Sequence, residues 1–267
     1  MTYNVLFSTS NEATLEVLTQ TGADIVGLQE ASSSRLAALA SKLGYHYHSF
    51  PKTSGNLSNQ DTGILSRFPI ISVSQNGVVL KINADLEVAV FTVHLLPYPY
   101  EPYDFRDGLI STAEQAIASA TSNRLPGFQP VLDEIADAMN EGYPVFFTGD
   151  FNEPSWLDWT QETAEKQMHF GKVVEWPVSK SIALAGLIDA YRSQFSNPSN
   201  FPGNTWTTVQ AENEVYDRID IIYHSVTDKM TLTDIRTVGG PDDSAGITVT
   251  NYPSDHYGVV ATYVLKN

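Results

Sequence analysis

Pro144 to Asn152 reads PVFFTGDFN, a short apolar run that ends in a carboxylate and a carboxamide two residues apart. A run of this kind, closed by glycine and polar residues, predicts a buried strand. On an extended chain Asp150 and Asn152 point to the same side. There they hold a metal, orient a water or cap a turn, and the stretch alone leaves all three open.

Working outward, similar runs recur. Tyr3 to Phe7 predicts a strand, and NEATLEVLTQTG a helix that stops at Gly22. ADIVGLQE predicts a buried strand ending in Gln29 and Glu30. SSSRLAALASKLG predicts an amphipathic helix with serine caps before it and Gly44 after. TGILSRFPIISVSQ, GVVLKI, LEVAVFTVHLL, GLIDAY, RIDIIYH and GVVATYVL predict further strands. PYPYEPYDFRDG is expected to be a polar, aromatic loop. A long helical stretch follows from Ser111 to Gly142, with an interruption expected near Leu125–Gly127. Residues 153–181 form an irregular or helical excursion. Strands with interspersed helices, several of them strand–strand neighbours, predict an α+β or mixed α/β layered fold. No linker, repeat or low-complexity run divides the 267 residues, so a single domain over 1–267 is expected.

The formal net charge of −16 opposes a polyanion lying along the surface, and no Lys/Arg cluster is present. The chain has no cysteine, which excludes disulfides, zinc–thiolate sites and a cysteine nucleophile. No transmembrane segment is visible. The start, MTYNVLF, lies inside a strand-like run, so a trimmed start, and with it a secreted or periplasmic location, stays open.

The chemistry-bearing residues share one placement. Asn4, Glu30, His94, Asp150 with Asn152, Asp220, and Asp255 with His256 all stand at or beside the ends of apolar strands. Each taken singly is a turn residue, a cap or a half-buried imidazole. Together they suit a site mounted on rigid sheet ends. Glu30 and Asp255 are hard oxygen ligands for Mg²⁺, Mn²⁺ or Ca²⁺, and Asn4 is a ligand or an orienter of Glu30. There is no HExxH, GxSxG or Walker loop. An oxygen-rich metal site with a His and an Asp suits metal-assisted attack of water on a phosphate ester.

In order, TYN, DIVGLQE, GILSRFPI, TVHL, GDFN, RIDIIY and SDHYGV resemble the endonuclease/exonuclease/phosphatase superfamily, from Tyr3 to Val264. The resemblance implies a four-layer α/β-sandwich of two facing mixed sheets flanked by helices, DNase I-like, with a divalent metal, usually Mg²⁺. It implies that Glu30, with Asn4 and Asp255, forms the metal site. It further implies that Asp150 activates the water, that Asn152 stabilises the transition state, and that His256, held by Asp220, and His94 contact the phosphate. The chain departs at Leu6, where some members carry an aspartate, and in lacking basic side chains along a DNA groove.

Tyr98, Tyr100, Tyr103 and Arg106 follow His94 closely, and Trp206 precedes Asp220. They are either packing residues or aromatic walls and a guanidinium for a substrate. Arg218 is expected in a structural ion pair. The leading reading is a metal-dependent phosphodiesterase or phosphatase acting on a small organic phosphate ester. The alternatives are an endo- or exonuclease acting on DNA or RNA, and a catalytically silent binding module of the same fold.

Overall fold

The computed structural model describes residues 1–50, 61–240 and 246–266. Its strands are β1 (Thr2–Asn4), β2 (Ile25–Gln29), β3 (His46–Phe50), β4 (Thr62–Ser66), β5 (Ile70–Val73), β6 (Gly77–Lys81) and β7 (Glu87–His94). The remainder are β8 (Val145–Asp150), β9 (Leu187–Asp189), β10 (Asp220–Ser225), β11 (Met230–Val238), β12 (Gly246–Ile247) and β13 (Gly258–Leu265). They form a seven-stranded mixed sheet, β12-β11-β13-β1-β2-β4-β3, and a six-stranded mixed sheet, β5-β6-β7-β8-β10-β9. Helices α1 (Asn11–Thr21) and α2 (Ser33–Leu43) cover the first sheet; α4 (Ala113–Asn140) and α6 (Pro177–Leu184) cover the second. The short helices are α3 (Glu101–Arg106), α5 (Gln161–Glu165) and α7 (Ala190–Gln194).

Two-residue alternation sets the layers. On β7, Ala89, Phe91 and Val93 pack outward on Phe128, Val131 and Ile135 of α4, whereas Val88 and Val90 pack inward with Phe50 and Ile64 of the other sheet. On β2, Val26 and Leu28 pack outward with Leu36 and Leu39 of α2. Gly27 therefore faces inward, where a β-carbon would collide with the hydroxyls of Thr148 and Thr92, so the sheets pass closely there. Gln29, two residues on, links the sheets. Its Nε2 donates to Thr92 Oγ1 at 2.9 Å and its Oε1 accepts from Thr2 Oγ1 at 3.3 Å.

Serine caps and left-handed Gly22 and Gly44 close α1 and α2 as expected. Helix α4, expected to break, runs through Pro126 and Pro130. Both prolines and Ser122, whose carbonyl loses its helical partner, are exposed, so the missing bonds face water and the buried face is untouched. The expected loop after His94 contains α3, with Pro102 in its first turn. Strand β3, HYHSF, was not anticipated, nor was β11, whose alternation is broken by a register shift between Leu232 and Asp234.

Candidate active site

Strands β1 and β2 run parallel, as do β7 and β8, so Asn4, Glu30, His94 and Asp150 finish at one end of the sandwich. Strands β10 and β13 run antiparallel to β8 and β1, so their starts bring Asp220, Asp255 and His256 to the same end. His94 and Asp220 stand directly opposite Asp150 in the two ladders. Alternation then turns Asn4, His94, Asp150 and Asp220 inward between the sheets.

Asp150 Oδ2 is the hub. Asn4 Nδ2 donates to it at 3.0 Å, His94 Nε2 lies at 3.4 Å and His256 Nε2 at 3.7 Å. His256 Nδ1 lies 2.9 Å from Asp220 Oδ2. Burial opposes charge on His256, but Asp220 and Asp150 outweigh it and raise its pKa to about 10. Burial raises Asp220 to about 6 against the pull of His256. The His94 imidazole is pushed down by burial, with Asp150 and Glu30 opposing. Two imidazoles around one carboxylate are thus shifted in opposite directions.

Glu30, Leu6 and Asn152 have left-handed backbone, with φ of 59°, 56° and 47°. Three such non-glycine residues around one strand-end cluster mark a site where local geometry is held by its surroundings. Glu30 Oε2 accepts from Phe7 N at 2.8 Å and Oε1 from Asn4 Nδ2 at 3.3 Å. The positive φ of Asn152 changes the reading of GDFN. The chain is no longer extended there; Asn152 N donates to Asp150 Oδ1 at 3.0 Å and Asn152 Nδ2 to Leu95 O at 3.0 Å. A turn, rather than strand alternation, puts the two side chains at the same cavity.

That cavity, of about 120 Å³, is lined by Glu30, His94, Asp150, Asn152, Asp255 and His256 together with Pro97, Tyr98, Tyr100, Tyr103, Trp206 and Ile219. Among the described residues, no lysine or arginine lines it. Asn4 and Asp220 support it from behind. Arg106 stands apart: its guanidinium pairs with Asp107 and lies 4.2 Å over the Tyr103 ring. Arg218 is bound by Asp158 and Asp189 in the interior, a structural ion pair. A larger cavity of about 580 Å³, lined by Trp156, Leu187, Ile188 and Tyr223 among others, contains none of the clustered acids or histidines.

The donor set suits a hard divalent cation. Glu30, Asp150 and Asp255 offer carboxylate oxygens to one cavity, and Asp255 Oδ1 is buried with no hydrogen-bond partner. Asp150, Asp220 and His256 form a second group whose ligand atoms lie within 4.8 Å of one another. There His256 would have to give up a proton that Asp220 and Asp150 hold on it, so the carboxylates at Glu30 fit a cation better.

Residues 1–256 match the model of the endonuclease/exonuclease/phosphatase family. The chain belongs to that family. An uncharacterized Caenorhabditis elegans protein, F14F9.5, is 28% identical over 290 residues, covering 98% of this chain and 90% of that one. D. rerio TDP2 complexed with a single-strand DNA product superposes with a TM-score of 0.57 at 19% identity, over 98% of this chain and 97% of that one. The 3′-5′ exonuclease NExo of Neisseria meningitidis gives 0.56 at 20% identity, over 98% of both chains. These likenesses establish the DNase I-like sandwich, as the motifs of this family member imply.

Asp217 and Arg124 had no motif to announce them. Asp217 bonds Tyr100 and Trp159 in the interior. Arg124, fully buried in α4, pairs with Glu101 and donates to the carbonyls of Leu96 and Pro99, which shapes the loop carrying Tyr98 and Tyr100. The one available signal was an arginine inside an otherwise apolar helix face.

Proposed function

We propose that this protein is a divalent-metal-dependent phosphoesterase that hydrolyses a small organic phosphate ester, a diester in preference to a monoester. The observation that carries the reading is the convergence of Asn4, His94 and His256 on Asp150 Oδ2 at a cavity that also holds Glu30 and Asp255. Asp150 orients the attacking water and takes its proton as the new P–O bond forms, while the ester P–O bond on the far side of phosphorus breaks and the leaving alkoxide takes a proton from solvent to give the alcohol. Protonated His256, His94 and the Asn152 carboxamide donate to the phosphoryl oxygens. Glu30, with Asn4 and Asp255, would hold the metal. Bound there, a divalent ion such as Mg²⁺ or Mn²⁺ neutralises charge developing on those oxygens.

Cavity size and charge support a compact substrate. Its volume of about 120 Å³ takes a phosphoryl group with a small ester group, well below the roughly 300–1,000 Å³ of drug-sized sites. A net charge of −16 and, among the described residues, a lining with no lysine or arginine disfavour a polynucleotide track. The test is a parallel assay of bis-p-nitrophenyl phosphate, p-nitrophenyl phosphate, plasmid DNA and abasic-site DNA with Mg²⁺, Mn²⁺ and Ca²⁺. Turnover of the small diester above all others is expected. Robust DNA cleavage without small-diester turnover would make the protein a nuclease. Neither metal binding nor hydrolysis of any ester would leave a silent binding module.

A further inference from the structure

The aromatic side of the cavity has its polar tips tied down from behind. Tyr100 Oη donates to Asp217 Oδ2 at 2.9 Å. Tyr103 Oη donates to Glu214 Oε1 at 2.7 Å and accepts from Trp206 Nε1 at 2.8 Å. Every donor on these three side chains is engaged, so what they offer the cavity is ring surface. The Trp206 ring packs on His256 with centroids 4.7 Å apart, which brings this surface to the edge of the acid and histidine cluster.

The tie from Tyr100 leads to a residue that also holds the backbone of Trp206. Asp217 is 1% exposed. Besides Tyr100, its carboxylate accepts from Trp159 Nε1 at 2.9 Å, and His169 Nδ1 lies 3.6 Å from Oδ1. Its backbone exchanges hydrogen bonds with Trp206 in both directions at 2.9 Å. We infer that Asp217 is the positioning residue of the aromatic wall, fixing Tyr100 by its carboxylate and Trp206 by its backbone, and that the wall so held selects a flat apolar ester group next to the phosphate. Asp217 does not line the cavity and touches no reacting atom. The substrate half of this inference rests on the phosphoesterase reading above; the positioning half rests on the hydrogen bonds alone.

An asparagine at 217 keeps the shape but presents one acceptor oxygen to two donors, and its NH₂ group meets whichever donor is left. Trp159 Nε1 only donates and takes the oxygen, so the NH₂ group faces Tyr100, whose hydroxyl can accept from it only by turning its own proton away; the charge-assisted bond that fixes Tyr100 is lost. The test is calorimetric binding of phenylphosphonate and methylphosphonate, each with Mg²⁺, to the wild type, Asp217→Asn and Tyr100→Phe. Wild type should bind the phenyl compound more tightly. Asp217→Asn should weaken phenylphosphonate about tenfold, the scale of one lost hydrogen bond to a charged group, and methylphosphonate less than about twofold. Tyr100→Phe should reproduce part of that loss, and serves alone if Asp217→Asn fails to fold. Equal weakening of both ligands, unchanged phenyl preference in both variants, or no phenyl preference in the wild type overturns the inference. Phenyl-selective binding without turnover of any phosphate ester would instead refute the phosphoesterase reading and leave the wall as argued.

Discussion

Asp150 shows how much rests on one side chain. Its Oδ2 has three nitrogens around it and its Oδ1 closes the turn to Asn152. Asp150→Asn keeps the volume and removes the proposed base. Turnover of the small diester is expected to fall by at least about a hundredfold, the usual worth of a general base, with the thermal midpoint near wild type. A folded variant with wild-type turnover would show that another group takes the proton. The identities of Asp150, Asn152, Glu30 and His256 were readable because each ends or adjoins an apolar run. The reason Asp150 and Asn152 share a cavity was not. It depends on the left-handed backbone at Asn152, and asparagine permits that conformation without requiring it.

Two elements shape the surroundings of the site through buried ionisable groups. Arg124 of α4 holds the loop at Leu96 and Pro99 while paired with Glu101, both side chains fully buried. Arg124→Ala should destabilise the fold by about 3–5 kcal/mol, because Glu101 is left as an unpaired interior charge. The double variant Arg124→Met/Glu101→Met should recover much of that loss in denaturant unfolding; no recovery would mean that the loop contacts carry the stability. Glu153 opens the excursion, and its Oε1 accepts from Val178 N at 2.7 Å in the first turn of α6. Burial, opposed by Arg124, raises its pKa from 4.5 to about 8. Between those values the folded chain keeps a proton that the unfolded chain has lost, so stability falls as pH rises across that window. Glu153→Gln removes this slope. Its thermal midpoint relative to wild type should climb from pH 5 to pH 8.5; a constant difference would place the titration elsewhere. The run of α4 across Pro126 was not legible, because local propensity says break and only the exposure of Ser122 shows why it continues.

On the scale of the whole molecule, the acidic balance and the metal reading meet in one measurement. A cation that binds only the folded state stabilises it by mass action, about 2.7 kcal/mol at a hundredfold excess over Kd. Mg²⁺ added back after chelation should therefore raise the thermal midpoint and restore hydrolysis together, and Glu30→Gln should blunt both. An undiminished shift in that variant would move the cation to Asp150, Asp220 and His256, a group among the described residues whose ligand atoms also lie close enough to hold one. The mixed sheets brought Asn4 to 3.0 Å from Asp150 across 146 residues of chain. Parallel strand ends and antiparallel strand starts do this without any long-range signal in the local sequence.

The sequence by itself determined the layered class, most of the strands, the capped helices α1 and α2, and the residue types able to act on a phosphate ester. These are encoded in runs, periods and caps a few residues long, and local physics reads them. Only the tertiary structure decided that Arg106 pairs with Asp107 and stays off the cavity lining, and that Gln29 bridges the sheets. It also brought Asp217 into hydrogen-bond contact with Tyr100 and Arg124 with the carbonyl of Pro99. Such roles depend on which partners burial delivers to a side chain. A buried carboxylate or guanidinium is costly until paired, and its partners come from segments far away along the chain.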